Sequence, residues 1–114
     1  MPLFFVSVEH RAWIAAMEKY LKGEREAPLL LDIDQCRFGQ WLYNGGLARY
    51  GTQPSFVVIE RLHRQVHELV TEMYKLDGQG CNPKALARLD ELHNLRSTLL
   101  EQLKALEQDF RQWS

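Results

Sequence analysis

Between Ile59 and Met73 the chain repeats one spacing. Ile59, Leu62, Val66, Leu69, Val70 and Met73 recur every three or four positions with charged residues between them, which predicts an amphipathic helix with a single buried stripe. His63 and His67 lie along the edge of that stripe and point inward. Four residues apart, they stand on adjacent turns of one face, roughly 5–6 Å apart at Cβ. A helix that turns two imidazoles toward its core must either hydrogen-bond them there or give them a common ligand. Zinc accepts imidazole nitrogen at about 2.0–2.1 Å, so such a pair can supply half of a buried metal site.

The 114 residues are enough for one domain, residues 1–114, with a modest hydrophobic core. A net charge of −1, with no block of lysine and arginine set among aromatic residues, argues against nucleic-acid binding. The apolar opening Met1–Val6 is short, lacks a basic leader and runs straight into Glu9, His10 and Arg11. It fits neither an export signal nor a membrane span. With only two cysteines, a disulfide framework is not expected and the cytoplasm is the expected compartment.

A first helix is predicted from Ser7, as its N-cap, to Lys22, with Gly23 as its stop. Val6, His10, Trp13, Met17 and Leu21 form its inner face, flanked by Ile14 and Tyr20. Glu24–Leu31 reads as a connector interrupted by Pro28, its Leu29–Leu31 an extended plug for the core. Asp34 then caps a short helix, Gln35–Asn44, closed by Gly45 and Gly46. Cys36 falls in its first turn, where free backbone N–H groups favour a thiolate. Gly39 leaves room around that sulfur, while Phe38, Trp41 and Leu42 anchor the segment.

Leu47–Pro54 reads as a loop or a single turn, Ser55–Leu76 as the histidine helix and Asp77–Asn82 as a second loop carrying Cys81 as a free surface thiol. Asn82 and Pro83 open a last helix to about Phe110, with Leu86, Leu89, Leu92, Leu99, Leu103, Leu106 and Phe110 as its stripe. His93, beside that stripe, is expected to be structural or exposed. The fold class is therefore all-α, an antiparallel four-helix bundle with one additional short helix carrying the cysteine.

The inward faces thus present His10, Cys36, His63 and His67. Three neutral imidazoles and a thiolate complete a tetrahedral zinc site with no position left for a catalytic water. Each residue also has an ordinary structural reading, as a core histidine or an inert buried cysteine.

The order and spacing of these residues resemble a known family. His10-Arg-Ala-Trp13, Cys36-Arg-Phe38-Gly39-Gln-Trp41 and His63-x3-His67 look like the His-x2-Trp, Cys-x-Leu/Phe-Gly-x-Trp and His-x3-His pattern of the chemoreceptor zinc-binding domain. The resemblance implies a four-helix-bundle homodimer holding one zinc per protomer through His10, Cys36, His63 and His67. It further implies a regulatory role beside bacterial chemoreceptors or diguanylate cyclases, answering to zinc or to oxidation of the zinc-bound cysteine. No cyclase, receptor or kinase-interaction segment accompanies the domain here, so a separate signalling protein is the expected output.

Three functions follow from these readings. The first is a non-enzymatic zinc-dependent sensory module. The second is a metal-dependent bundle of the hemerythrin type, for which Glu60 and Glu68 are available but no second Glu-x2-His pair occurs beside Glu60-x2-His63. The third is a purely structural zinc dimerisation module.

Overall fold

Among the described residues every regular element is helical. The computed structural model describes residues 3–26, 28 and 36–113, with side chains for 7–26, 28, 36 and 38–106. The elements are α1 (Leu3–Leu21), α2 (Arg37–Trp41), a π-helical turn (Leu42–Gly46), α3 (Leu47–Tyr50), α4 (Pro54–Gly78), α5 (Asn82–Leu86) and α6 (Leu89–Trp113). Because α2, the π-turn and α3 are continuous, and α5 and α6 are separated only by Ala87 and Arg88, these elements form four helical runs.

Helix α1 buries His10, Ile14, Met17 and Leu21 at spacings of four, three and four. Ile14 is therefore central to the stripe, and Trp13 and Tyr20 are its half-buried flanks. The helix starts at Leu3, so Ser7 lies within it and does not cap it. Nothing between Leu3 and Ser7 breaks a helix, and the apolar run simply continues the pattern. At the other end Gly23 takes φ +77°. Its N–H donates to Tyr20 O at 3.0 Å and that of Glu24 to Lys19 O at 2.8 Å, so the last carbonyls are satisfied by a Schellman motif. Gly80, at φ +79°, ends α4 in the same way, with Cys81 N–H donating to Leu76 O at 2.8 Å. The expected plug Leu29–Leu31 and the cap Asp34 lie outside the described residues.

Helix α4 is the axis of the core. Ile59, His63, Val66 and Val70 have no exposed surface, and neither do Met73 on its next turn or Leu92 and Leu99 of α6. Fully burying each such aliphatic side chain contributes about 1.5–3 kcal/mol. Pro54 occupies the first turn of α4, where its missing N–H costs nothing. The last helix is broken in two. Asn82 does not cap it; its side-chain amide donates instead to Leu21 O at 2.8 Å and Asp77 Oδ1 at 2.7 Å. Cys81, half-buried, takes the N-cap position of α5.

Helix direction departs from a simple antiparallel bundle. Tyr20 donates to Asp77 Oδ2 at 2.9 Å and stacks on Tyr74, while Trp13, two turns earlier in α1, stacks on His67. Residue numbers thus increase together, so α1 and α4 run parallel. Helix α6 runs against both: Arg88 pairs with Glu72 of α4 at 2.7 Å, and His93 sits 3.3 Å from Glu18 of α1. The crossover between Lys22 and Gln53 makes the parallel pair possible, and it carries α2, the π-turn and α3. His93 is thereby a half-buried partner of Glu18, joining α6 to α1. No helix among the described residues is long and apolar enough to cross a membrane.

Candidate metal centre

Two parallel helices and the crossover between them converge on one point. The metal-binding atoms of His10 (α1), Cys36 (the residue before α2), His63 and His67 (α4) all lie within 4.8 Å of one another. All four residues are buried, with His63 fully enclosed and Cys36 the most exposed at 7%. Cys36 Sγ stands 3.3 Å from His63 Nε2 and 3.4 Å from His67 Nε2.

The cysteine is held by the start of its own helix. Cys36 is the N-cap of α2, with extended backbone, and does not lie within the first turn. Its sulfur accepts the Gly39 N–H at 3.2 Å, doing what a serine or aspartate oxygen does at an ordinary cap. An acceptor that receives a backbone N–H at a helix N-terminus is stabilised as an anion, the form in which sulfur binds metal. Gly45 and Gly46 do not end this helix. The backbone widens into a π-turn and continues as α3 to Tyr50, which is the single-turn alternative expected from Leu47. A Cβ on Gly46 would lie 3.0 Å from Trp41 O and 3.1 Å from the indole ring. The missing side chain is what lets Trp41 fold back over the turn.

A polar contact outside the sequence reading ties this crossover to α4 beside the cluster. Tyr43 donates to Glu60 Oε1 at 2.9 Å, and Arg64 donates to the same oxygen at 2.8 Å. Burial, then the bond to Glu60, pushes the Tyr43 phenol up to about 12, so it remains a donor. The Glu60–Arg64 half of this contact has the i,i+4 spacing of a helix ion pair and was legible; Tyr43 had no local signal.

Rings surround the cluster. Trp13 stacks on His67 with centroids 4.6 Å apart and planes 22° from parallel, and Phe38 stacks on His63 at 4.6 Å and 13°. Burial holds His10 and His63 neutral. It lowers His10 to about 3, aided by His67, and His63 to about 2, aided by His10, His67 and Arg64.

Both ring nitrogens of His10 and Nδ1 of His63 are buried with no hydrogen-bond partner among the described residues. A buried polar atom left unpaired costs about 1–3 kcal/mol, which a core histidine in a purely structural role would not ordinarily bear. Three buried imidazoles and a sulfur whose donor atoms all lie within 4.8 Å of one another form a donor set that fits zinc. Among the described residues this is the only group of three or more His, Cys, Asp or Glu side chains so placed. The carboxylate-bridged pair of metals that a hemerythrin-type site needs therefore has no counterpart there. Cys81, at the far end of α4, takes no part.

The sequence profile of one family, described as the chemoreceptor zinc-binding domain, matches residues 10–74. The match opens on His10 and takes in Cys36, His63 and His67. Neither a curated protein nor a solved structure matches the chain.

Proposed function

The chain belongs to the chemoreceptor zinc-binding domain family, a family of zinc-binding modules, and from that premise we propose that it is a sensory module whose ligands are His10, Cys36, His63 and His67. The observation that supports this ligand set most directly is the convergence of their four donor atoms within 4.8 Å in a buried cluster. Bound zinc would supply a fixed double positive charge that completes the four donors and links α1, the crossover and α4. The protein's own contribution is to keep the imidazoles of His10 and His63 neutral by burial and to hold the sulfur on the Gly39 N–H.

In this reading the module is not an enzyme, because four protein donors leave no position for substrate or water. It acts in the cytoplasm of a bacterium by changing the crossover segment that carries Cys36. A chemoreceptor or a diguanylate cyclase, as a separate protein, reads that change. The module works as a homodimer, and the exposed apolar side chains Val8, Leu47, Val57 and Val58 are candidates for its contact surface.

Native mass spectrometry of the purified chain tests the site, with one zinc per chain expected. Full zinc retention by the His63→Ala, His67→Ala double variant would refute the ligand set. Pull-down from the source cell with and without a chelator separates a sensor from a merely structural module, since only the sensor changes its partner with occupancy.

A further inference from the structure

The four donors are not held alike. His10, His63 and His67 stand on α1 and α4, helices of 19 and 25 residues with buried stripes of their own. Cys36 precedes a helix of five residues, too short to persist by its own hydrogen bonds. Where its sulfur sits depends on how the crossover is docked against α4.

The π-turn shapes that docking. The buried positions Phe38, Leu42, Gly46 and Tyr50 recur every four residues. At 3.6 residues per turn such a row drifts around an α-helix, and the wider turn over Leu42–Gly46 brings it back toward the core. The same turn sets Tyr43 on α4, where it donates to Glu60 Oε1 at 2.9 Å. Glu60 lies one helical turn before His63. Arg64, the residue after His63, donates to the same oxygen at 2.8 Å and keeps the acceptor in place. A bond from O–H to an ionised carboxylate is about twice as strong as one between neutral groups.

The same bond occurs a second time on α4. Tyr20 of α1 donates to Asp77 Oδ2, also at 2.9 Å, but Asp77 is ten residues beyond His67 and both partners belong to long helices. Of these two matched phenol–carboxylate ties, only the one at Tyr43 fastens the segment that bears the sulfur.

We propose that Tyr43 and Glu60 are positioning residues which, by fastening the π-turn to α4, hold Cys36 Sγ against His63 and His67 and so set how tightly the metal is kept and how readily the sulfur is reached by reagents. This deepens the four-ligand reading given above and rests on it. With the tie broken, the histidines remain where α1 and α4 place them, and the loss falls on the sulfur.

The test compares the full chain with Tyr43→Phe, Glu60→Ala, their double variant and Tyr20→Phe. Zinc affinity is measured by chelator competition. Alkylation of Cys36 by iodoacetamide in zinc-loaded protein is followed by peptide mass spectrometry, with Cys81 as the reference thiol. Tyr43→Phe should lose about 10-fold in zinc affinity, the lower end of the range for outer-shell partners of a metal site. Cys36 should be alkylated faster by a similar factor, while Cys81 keeps its rate. Glu60→Ala and the double variant should show about the same loss as Tyr43→Phe, because all three remove one bond. Tyr20→Phe, which removes the matched bond, should leave zinc affinity and Cys36 labelling unchanged.

Zinc affinity in Tyr43→Phe within about threefold of the unmodified chain would overturn the proposal, being well short of the outer-shell range. A fall in affinity with no change in Cys36 labelling would place the effect on the histidines and overturn it as well. An equal effect of Tyr20→Phe, or equal acceleration at Cys81, would do the same, since general loosening predicts both. So would additive losses in the double variant, which would show the two residues acting separately. Failure of the unmodified chain to bind zinc at all would instead refute the underlying four-ligand reading.

Discussion

Cys36 Sγ lies 3.3 Å from Nε2 of His63, a residue 27 positions further along the chain. The contact joins the start of a five-residue helix to the middle of the longest buried stripe in the fold. A short helix cannot hold a position by its own hydrogen bonds, because helices under about 12 residues are marginal alone. The segment instead depends on the packing of Phe38 and Leu42, the Tyr43–Glu60 bond and whatever binds at the cluster.

Metal should therefore stabilise the whole fold as well as the site. A ligand that binds only the folded chain adds RT ln(1 + [L]/Kd), about 4 kcal/mol at a thousandfold excess over Kd. Zinc-loaded protein should melt well above chelator-treated protein, and a His63→Ala, His67→Ala double variant should show no such shift. Calorimetry with and without zinc checks this; an equal shift in the variant would move the site elsewhere.

Much of this arrangement was legible in the sequence. The stripe from Ile59 to Met73 gave α4 because hydrophobic period is a local property, and His63 and His67 came with it. His10 and Cys36 could be placed on inward faces, but their meeting with α4 depends on helix direction, which no local pattern encodes. For that reason the parallel pairing of α1 with α4 was not foreseen. Ser7, Asp34, Asn82 and the Gly45–Gly46 pair all carry strong terminal signals; at Ser7 the unbroken run from Leu3 carries the helix past the signal, and tertiary contacts overrode it at Asn82 and the glycine pair. Packing of Trp41 on Gly46 turns an apparent stop into a π-turn, and Asn82 spends its amide on α1 and α4 instead of its own helix.

The two glycines of the π-turn should behave oppositely when replaced. At Gly45 a Cβ meets nothing closer than 4.0 Å, so Gly45→Ala should stabilise by up to about 1 kcal/mol through reduced backbone entropy. At Gly46 the same carbon meets the Trp41 carbonyl and ring at 3.0–3.1 Å, and relieving that contact should cost about 1–3 kcal/mol. Urea midpoints of the two variants, with Trp41 fluorescence as a second probe, decide it. Equal effects would mean that the indole does not depend on the missing side chain.

Acid should destabilise the metal-free protein before its carboxylates titrate. His10 and His63 fall from an unfolded value near 6.5 to about 3 and about 2. The unfolded chain therefore takes up protons below pH 6.5 while the folded chain does not. With folded values depressed, stability is fully present above 6.5 and is lost as pH falls, by up to about 1.4 kcal/mol per unit for each histidine. The loss should begin near pH 6.5, above the ordinary carboxylate range, and continue toward the folded values of about 3 and about 2. Denaturation of chelator-treated protein at intervals from pH 7.5 to 5 measures the slope, and a flat profile would contradict burial of neutral imidazoles.

Cys36 is the one residue of the cluster whose chemistry a cell can change. Hypochlorous acid takes two electrons from a thiolate, leaving a sulfenic acid and chloride, and a second equivalent carries it to the sulfinic acid. Either product exchanges a soft sulfur donor for oxygen and alters the acceptor that receives the Gly39 N–H. The cap and the donor are then weakened together at the start of α2. The expected outcome is release of zinc with a change in tryptophan emission, because Trp41 closes α2 and Trp13 covers His67. Zinc-loaded protein treated with sub-stoichiometric hypochlorous acid, followed by a zinc indicator and by fluorescence, gives both readings. Cys36→Ser, which replaces the sulfur by a hydroxyl that can still cap but cannot be oxidised in this way, should give neither. If it responds as the unmodified chain does, the oxidant acts elsewhere, with Cys81 the next thiol to examine.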